Sequence, residues 1–255
     1  MIEIHSHILP NMNDGPPTMS ESIQLAQTAV KQGVHTLVVT PRHLDGTNNH
    51  PKLDIIKEVI HFSHELEQKG IPLKVLPGQE VRLTWDLAER IDKDEILPVN
   101  ENTKYILIEL PSNHLPKYAE QVLFELQMKG FTPVIAHPER HAEIVSNPQL
   151  LYNLVKKGAL VQVAAGSING RFGKKQAKFT NEMIDANLVH LISSEAYHSK
   201  KRPFELHEAY NKVEKTFGKQ MHYYFLENSQ ALIENEPIFA DPPERIKNKK
   251  IFGFI

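Results

Sequence analysis

The 255-residue chain contains no cysteine. Disulfides, thiolate zinc sites and every mechanism built on a cysteine nucleophile are therefore excluded. Long apolar runs are also missing. No stretch approaches the roughly 18 uncharged apolar residues of a spanning helix, and Met1 leads straight into an expected strand with no secretory leader. Membrane insertion is not expected, and a cytoplasmic location is. Nor is there an excess of one charge: 29 Lys and Arg against 31 Asp and Glu give a formal net charge of −2. A general nucleic-acid binder would need surplus positive charge. No linker rich in Ser, Gly or Pro divides the chain, so one domain over residues 1–255 is expected. The 40% hydrophobic content is enough for a full core.

What the chain does have is a repeated grammar. KQGVHTLVVTP, QKGIPLKVLPG, MKGFTPVIAHP and KKGALVQVAAG each place Lys at a helix end, Gly at its C-terminal cap, and then a short aliphatic strand. Between them lie amphipathic helices. Ile23, Ala26, Ala29 and Val30 form one apolar face, with Thr18 and Glu21 as a capping box. Ile56, Val59, Ile60 and Leu66 form the next. Adding IEIH, KYILIEL and LVHLISS gives about seven strands alternating with helices, and hence a parallel α/β sheet. A closed barrel is favoured over an open sheet because polar residues follow nearly every strand rather than one crevice. The tail ERIKNKKIFGFI, basic and then aromatic, fits either packing on the barrel or a subunit contact.

The polar residues after the strands carry the chemistry. His5 and His7, in HSH, point to one side of the first strand, about 7 Å apart along the chain. Asp14 follows in the next loop, Arg42 and His43 follow the second strand, and Glu80 the third. Glu109 ends the fourth, His137 and Arg140 follow the fifth, and Glu195 the seventh. Singly, each has an ordinary reading as a turn residue or a solvated loop acid. Together, imidazoles and carboxylates at one end of so many strands form a nitrogen and oxygen ligand set without sulfur, suited to Mn, Fe or Zn. The number of ligands points to two ions sharing a carboxylate, with Glu109 the expected bridge because an unpaired acid ending YILIEL would be costly to bury. His61, His64, His114, His141 and His190 are read as surface or core residues.

The motifs HxH, Asp-Gly, TPxH, GQE, IEL, HPER and a late Arg-Pro jointly resemble the polymerase-and-histidinol-phosphatase (PHP) superfamily. Within it the chain is most similar to the bacterial manganese-dependent protein-tyrosine phosphatases encoded with capsule and exopolysaccharide synthesis genes. The resemblance implies a distorted (β/α)7 barrel and hydrolysis of phosphotyrosine, on a partner tyrosine kinase, by a metal-bound hydroxide. It places His5, His7, Glu109 and Glu195 on one ion, and Glu80, Glu109 and His137 on a second. Arg140 and Arg202 would grip the phosphate as fixed forks. His43 would be either a general acid for the leaving phenolate or a support for Glu80 and its loop.

Three departures from the family pattern fall in one subsite, the third ion position to which Asp14 belongs. TPRH puts Arg at 42, and SSEAYH puts Glu at 195 and Tyr at 197, where the family has His, Asp and His. Arg cannot ligate a cation, so a third ion is expected to be absent or weak, and Arg42 would offer its donors to the phosphate instead. Two manganese ions are expected. The alternatives are a pseudophosphatase that only binds, and a phosphatase of small phosphate monoesters. An oligomer is compatible with either.

Overall fold

The computed structural model describes residues 1–246 apart from Asn13 and Ser112. Its strands are β1 (Ile2–Ser6), β2 (Thr36–Val39), β3 (Arg42–His43), β4 (Lys74–Pro77), β5 (Glu80–Arg82), β6 (Tyr105–Glu109), β7 (Thr132–Ala136), β8 (Leu160–Ala164) and β9 (Leu191–Ser193). Every named pairing is parallel, in the orders β1-β2-β4 and β3-β5-β6-β7-β8-β9. The end strands meet through a parallel bridge between Ser6 and Ala196. There the Glu195 N–H donates to the His5 carbonyl at 3.0 Å and the His7 N–H to the Ala196 carbonyl at 2.9 Å. The strands thus close into a distorted seven-stranded barrel.

The distortion lies where the expected second and third strands each break in two. Pro41 has no N–H to give, and β2 resumes as β3 beyond it. β4 resumes as β5 beyond Gly78 and Gln79. A Cβ on Gly78 would meet Val38 Cγ1 at 3.0 Å and the Val39 carbonyl oxygen at 3.3 Å, so only glycine permits this approach. The break moves Arg42 and Glu80 out of the first strand set and into the second, as register partners.

The helices are α1 (Met19–Lys31), α2 (Lys52–Gln68), α3 (Leu87–Asp92), α4 (Ala119–Met128), α5 (Ala142–Ser146), α6 (Gln149–Lys156), α7 (Ala165–Asn169), α8 (Lys174–Asp185), α9 (Leu206–Phe217) and α10 (Lys219–Ile233). Thr18 Oγ1 accepts the Glu21 N–H at 3.3 Å, the expected start of α1. On α2 the buried stripe is Ile55, Val59, Phe62 and Leu66, whereas Ile60 is 65% exposed. The expected face through Ile56 and Ile60 was therefore turned by one residue.

Strands with both faces covered read as continuous apolar runs, and alternate residues divide between two clusters. Ile106 and Ile108 join Leu123 and Leu126 of α4, while Tyr105 and Leu107 join Val134 and Ala136. No helix among the described residues is long and apolar enough to cross a membrane. Of the basic-aromatic tail, Ile246 packs on the first cluster, and residues 247–255 lie outside the described residues.

Candidate metal centre

The strand ends deliver their polar side chains to one mouth. His5, His7 and Glu80 each offer a ligand atom, all lying within 4.8 Å of one another, and Glu80, Glu109 and His137 do the same. Glu80 is common to both groups. His5 Nε2 lies 3.5 Å and His7 Nε2 3.6 Å from Glu80 Oε2, and His137 Nε2 lies 2.8 Å from Glu80 Oε1. The His5 and His7 ring centroids are 5.1 Å apart. The shared carboxylate differs from the sequence expectation. Glu109 belongs to one group only and is paired at 3.0 Å with Arg82. This pairing supplies the charge partner that a buried acid at the end of an apolar run requires.

The electrostatics follow from this packing. Burial would raise the Glu80 carboxyl, but His5 and His137 hold it well below the usual carboxylate range. Burial, reinforced by the charge of Glu80, raises Glu109. Burial drives His7 down to about 3, leaving a neutral imidazole with one ring nitrogen lone pair available to a ligand. His5 Nδ1 faces Gln162 Oε1 at 3.1 Å, which fixes its tautomer and turns Nε2 toward Glu80. Glu3 accepts the His5 and Ser194 N–H groups at 3.0 and 2.8 Å, tying β1 to the end of β9 beneath the centre.

Glu195 stands apart from both groups. Its Oε2 is held by Arg140 at 2.6 Å and Arg202 at 3.4 Å, and opposing burial, Arg140 leads the histidines and Arg202 in holding it down near 2. The two arginines that the resemblance assigns to phosphate thus engage a carboxylate assigned to an ion. Arg42 lies between Asp14 Oδ2 at 3.2 Å and Glu80 Oε2 at 3.3 Å. Both His137 and Glu195 adopt positive φ, 38° and 54°. Such left-handed geometry is costly for side chains of this size, and it concentrates at sites that need a side chain aimed off the strand direction.

His43 does not join this mouth. Successive strand residues face opposite ways, so Arg42 takes the inward position. The His43 ring lines a separate cavity of about 870 Å³ with Lys52, Arg90 and Glu95. This placement gives no support to the expected role as acid to the leaving group. Beside the carboxylates lies a smaller cavity of about 220 Å³, bordered by Arg42, Glu109, His137 and Arg140.

Gln162, Arg82 and Phe172 were absent from the sequence-derived set. Gln162 is a lone amide inside the apolar run LVQVA, and Arg82 stands two residues after Glu80 on the same strand face, so both had a readable signal. Phe172, on the α7–α8 loop, had none.

The donor set fits a cation. Its members are imidazole nitrogens and carboxylate oxygens, the mixture that suits divalent first-row metals. His5 Nε2 and Glu195 Oε1 are buried with no hydrogen-bond partner among the described residues, and a bound cation would satisfy such atoms.

Fold and site together define a closed parallel barrel with a histidine–carboxylate centre at the C-terminal ends of its strands and arginines around it. The family model for capsular polysaccharide synthesis, CpsB/CapC, matches residues 1–234, and the chain belongs to that family. It is 44% identical to the tyrosine-protein phosphatase YwqE of Bacillus subtilis, and 39% identical to the putative tyrosine-protein phosphatase CapC of Staphylococcus aureus, with 100% of both chains covered in each case. A solved structure, from work on YwqE of Bacillus subtilis and CpsB of Streptococcus pneumoniae described as unique metal-dependent tyrosine phosphatases, superposes with a TM-score of 0.94 at 44% identity. That match covers 97% of this chain and 100% of the other.

Proposed function

We propose that the protein is a metal-dependent tyrosine-protein phosphatase of the CpsB/CapC family, acting in the cytoplasm on phosphotyrosine in a protein. A bacterial tyrosine kinase of capsule or exopolysaccharide synthesis is the candidate substrate. The observation that carries the reading is the pair of ligand groups sharing Glu80 beside a cavity bordered by Arg42 and Arg140. His5, His7 and Glu80 would hold one ion, and Glu80, Glu109 and His137 the other. Glu195 Oε1 is available to the first. Manganese is the proposed metal, and the donor set accepts iron or zinc equally. Bound ions would activate water and neutralise phosphoryl oxygens during in-line displacement.

The chain's own groups do the rest. Gln162 keeps His5 in one tautomer, and Arg82 orients Glu109 and partly offsets the rise that burial and Glu80 impose on it. Arg140 and Arg202 present guanidinium forks that transfer donors from Glu195 to an incoming phosphate and stabilise its charge in the transition state. Arg42 adds a further fixed positive group at the cavity rim, anchored on Asp14 and Glu80.

A second reading, a protein that binds phosphotyrosine without turnover, is favoured by one observation: the Arg42 guanidinium occupies the space between Asp14 and Glu80 where a further cation would sit. The test is release of phosphate from a phosphotyrosine peptide and from p-nitrophenyl phosphate with added Mn, alongside elemental analysis. Turnover that stops on chelation, with metal bound, supports the enzyme. Peptide binding with no turnover under any metal tried supports the second reading.

A further inference from the structure

The loop between α7 and α8 is an excursion between two glycines with positive φ, Gly170 at 89° and Gly173 at 95°. It carries Arg171 and Phe172. The Arg171 guanidinium is tied to the Glu205 carboxylate, and Asn169 Nδ2 donates to the Glu205 carbonyl at 3.2 Å, so the loop is latched from one side. From the other side the Phe172 ring rests on Gly166, where an added Cβ would lie 3.1 Å from Cε2 and 3.3 Å from Cζ. The ring is thus set between a backbone without a side chain and two cations. The Arg202 guanidinium lies over it at 4.6 Å from the centroid, and that of Arg140 at 5.6 Å.

Two guanidiniums drawn to one place repel each other, and something must hold them there. Glu195 supplies one tether, through a single oxygen to both. That tether is surrendered when the donors turn to phosphate. The negative face of an aromatic ring is the other tether, and it competes for no donor, because attraction to the quadrupole leaves every N–H free.

We propose that Phe172 is a positioning residue of the phosphate clamp, its ring holding the Arg140 and Arg202 guanidiniums side by side when they release Glu195 for substrate. This rests on the phosphatase reading and adds to it the element that pre-organises the two forks.

The test uses the full-length Mn-supplied protein and two probes. Inorganic phosphate binding is measured by calorimetry, and p-nitrophenyl phosphate hydrolysis gives kcat and KM. Phe172→Leu keeps most of the volume and removes the quadrupole. Weaker phosphate binding and a raised KM, each by roughly three- to thirty-fold, are expected, while Phe172→Tyr stays near wild type. In an Arg202→Ala background the Phe172→Leu change should cost clearly less than in the wild type, because the nearer of the two guanidiniums it holds is already gone.

A merely structural role would give the same loss with or without Arg202, and that result overturns the proposal. So does a Phe172→Leu protein that binds phosphate as wild type does. Should Phe172→Leu fail to fold, Gly166→Ala displaces the same ring from behind and is expected to weaken phosphate binding. Wild-type affinity in that variant again overturns the proposal. A wild-type protein that neither binds phosphate nor turns over removes the phosphatase reading and the clamp together, whereas intact wild-type activity with indifferent variants removes the clamp alone.

Discussion

Arg42 Nε stands 3.3 Å from Glu80 Oε2, on the carboxylate that both ligand groups share, while its Nη1 stands 3.2 Å from Asp14 Oδ2. An arginine in this place is a permanent cation of fixed geometry that needs no loading. Arg42→Gln keeps hydrogen-bonding capacity and removes the charge. We expect kcat/KM toward an aryl phosphate to fall on the order of tenfold to a hundredfold, with the circular dichroism spectrum unchanged. The pair Arg42→His and Tyr197→His tests the same place from the metal side. If Arg42 replaces an ion, elemental analysis of the double variant will show more metal per chain. An unchanged content would mean that Arg42 blocks no site.

Which carboxylate bridges is decided by comparing two isosteric changes. Glu80 is 1% exposed and belongs to both ligand groups, whereas Glu109 belongs to one and is held by Arg82. Glu80→Gln is expected to lose both ions and on the order of a thousandfold in activity. Glu109→Gln is expected to retain one ion. Metal content settles the matter without reference to turnover: equal losses in the two variants would return the bridging role to Glu109.

These two residues also show how far a sequence carries such an argument. Glycine caps, aliphatic runs and the polar residue after each run placed the strands and their ends, because those features are local. Which of two strand-end carboxylates reaches deeper is not local. It depends on the break at Gly78 and Gln79, beyond which Glu80 lies in register with Arg42, and on the ion pair of Glu109 with Arg82. On α2 the apolar residues at 55, 56, 59, 60, 62 and 66 satisfied two helical faces, and tertiary packing chose the one through Phe62. Arg42 and His43 are neighbours on one strand and so face opposite ways, and which of the two turns to the centre is set by the fold rather than by the motif. Phe172 lies in a loop with no periodicity, so only the folded chain reveals its contact with the arginines.

Metal removal should be felt by the fold as well as the chemistry. The centre gathers Glu80, Glu109, His5 and His7 in a buried space with His137 half-buried beside them, and ligands that bind only the folded state stabilise it by mass action. At a free metal concentration about a hundredfold above Kd, one site contributes about 2.7 kcal/mol. For a chain of this size that is a shift of roughly 5–10 °C in Tm. Treatment with a chelator followed by dialysis should lower Tm by about this much, and added Mn should restore it. An identical melting curve before and after chelation would count against a resident ion.

His190 offers a stability probe remote from the metal centre. It is 2% exposed, its Nδ1 accepts the Val161 N–H at 3.0 Å, and its carbonyl accepts from Asn228 Nδ2 at 2.9 Å. Burial pushes its imidazole down to about 4, against about 6.5 in an unfolded chain. The folded value is depressed, so the unfolded state takes up the proton first. Stability is full above pH 6.5 and is lost as pH falls toward 4. By pH 4.5 the contribution lost amounts to roughly 2–3 kcal/mol. His190→Asn keeps an acceptor near the Val161 N–H and removes the titrating group. Urea unfolding at pH 7.5 and 4.5 should show the variant losing about that much less stability than the wild type over the interval. Parallel losses in the two proteins would mean that the acid sensitivity resides elsewhere.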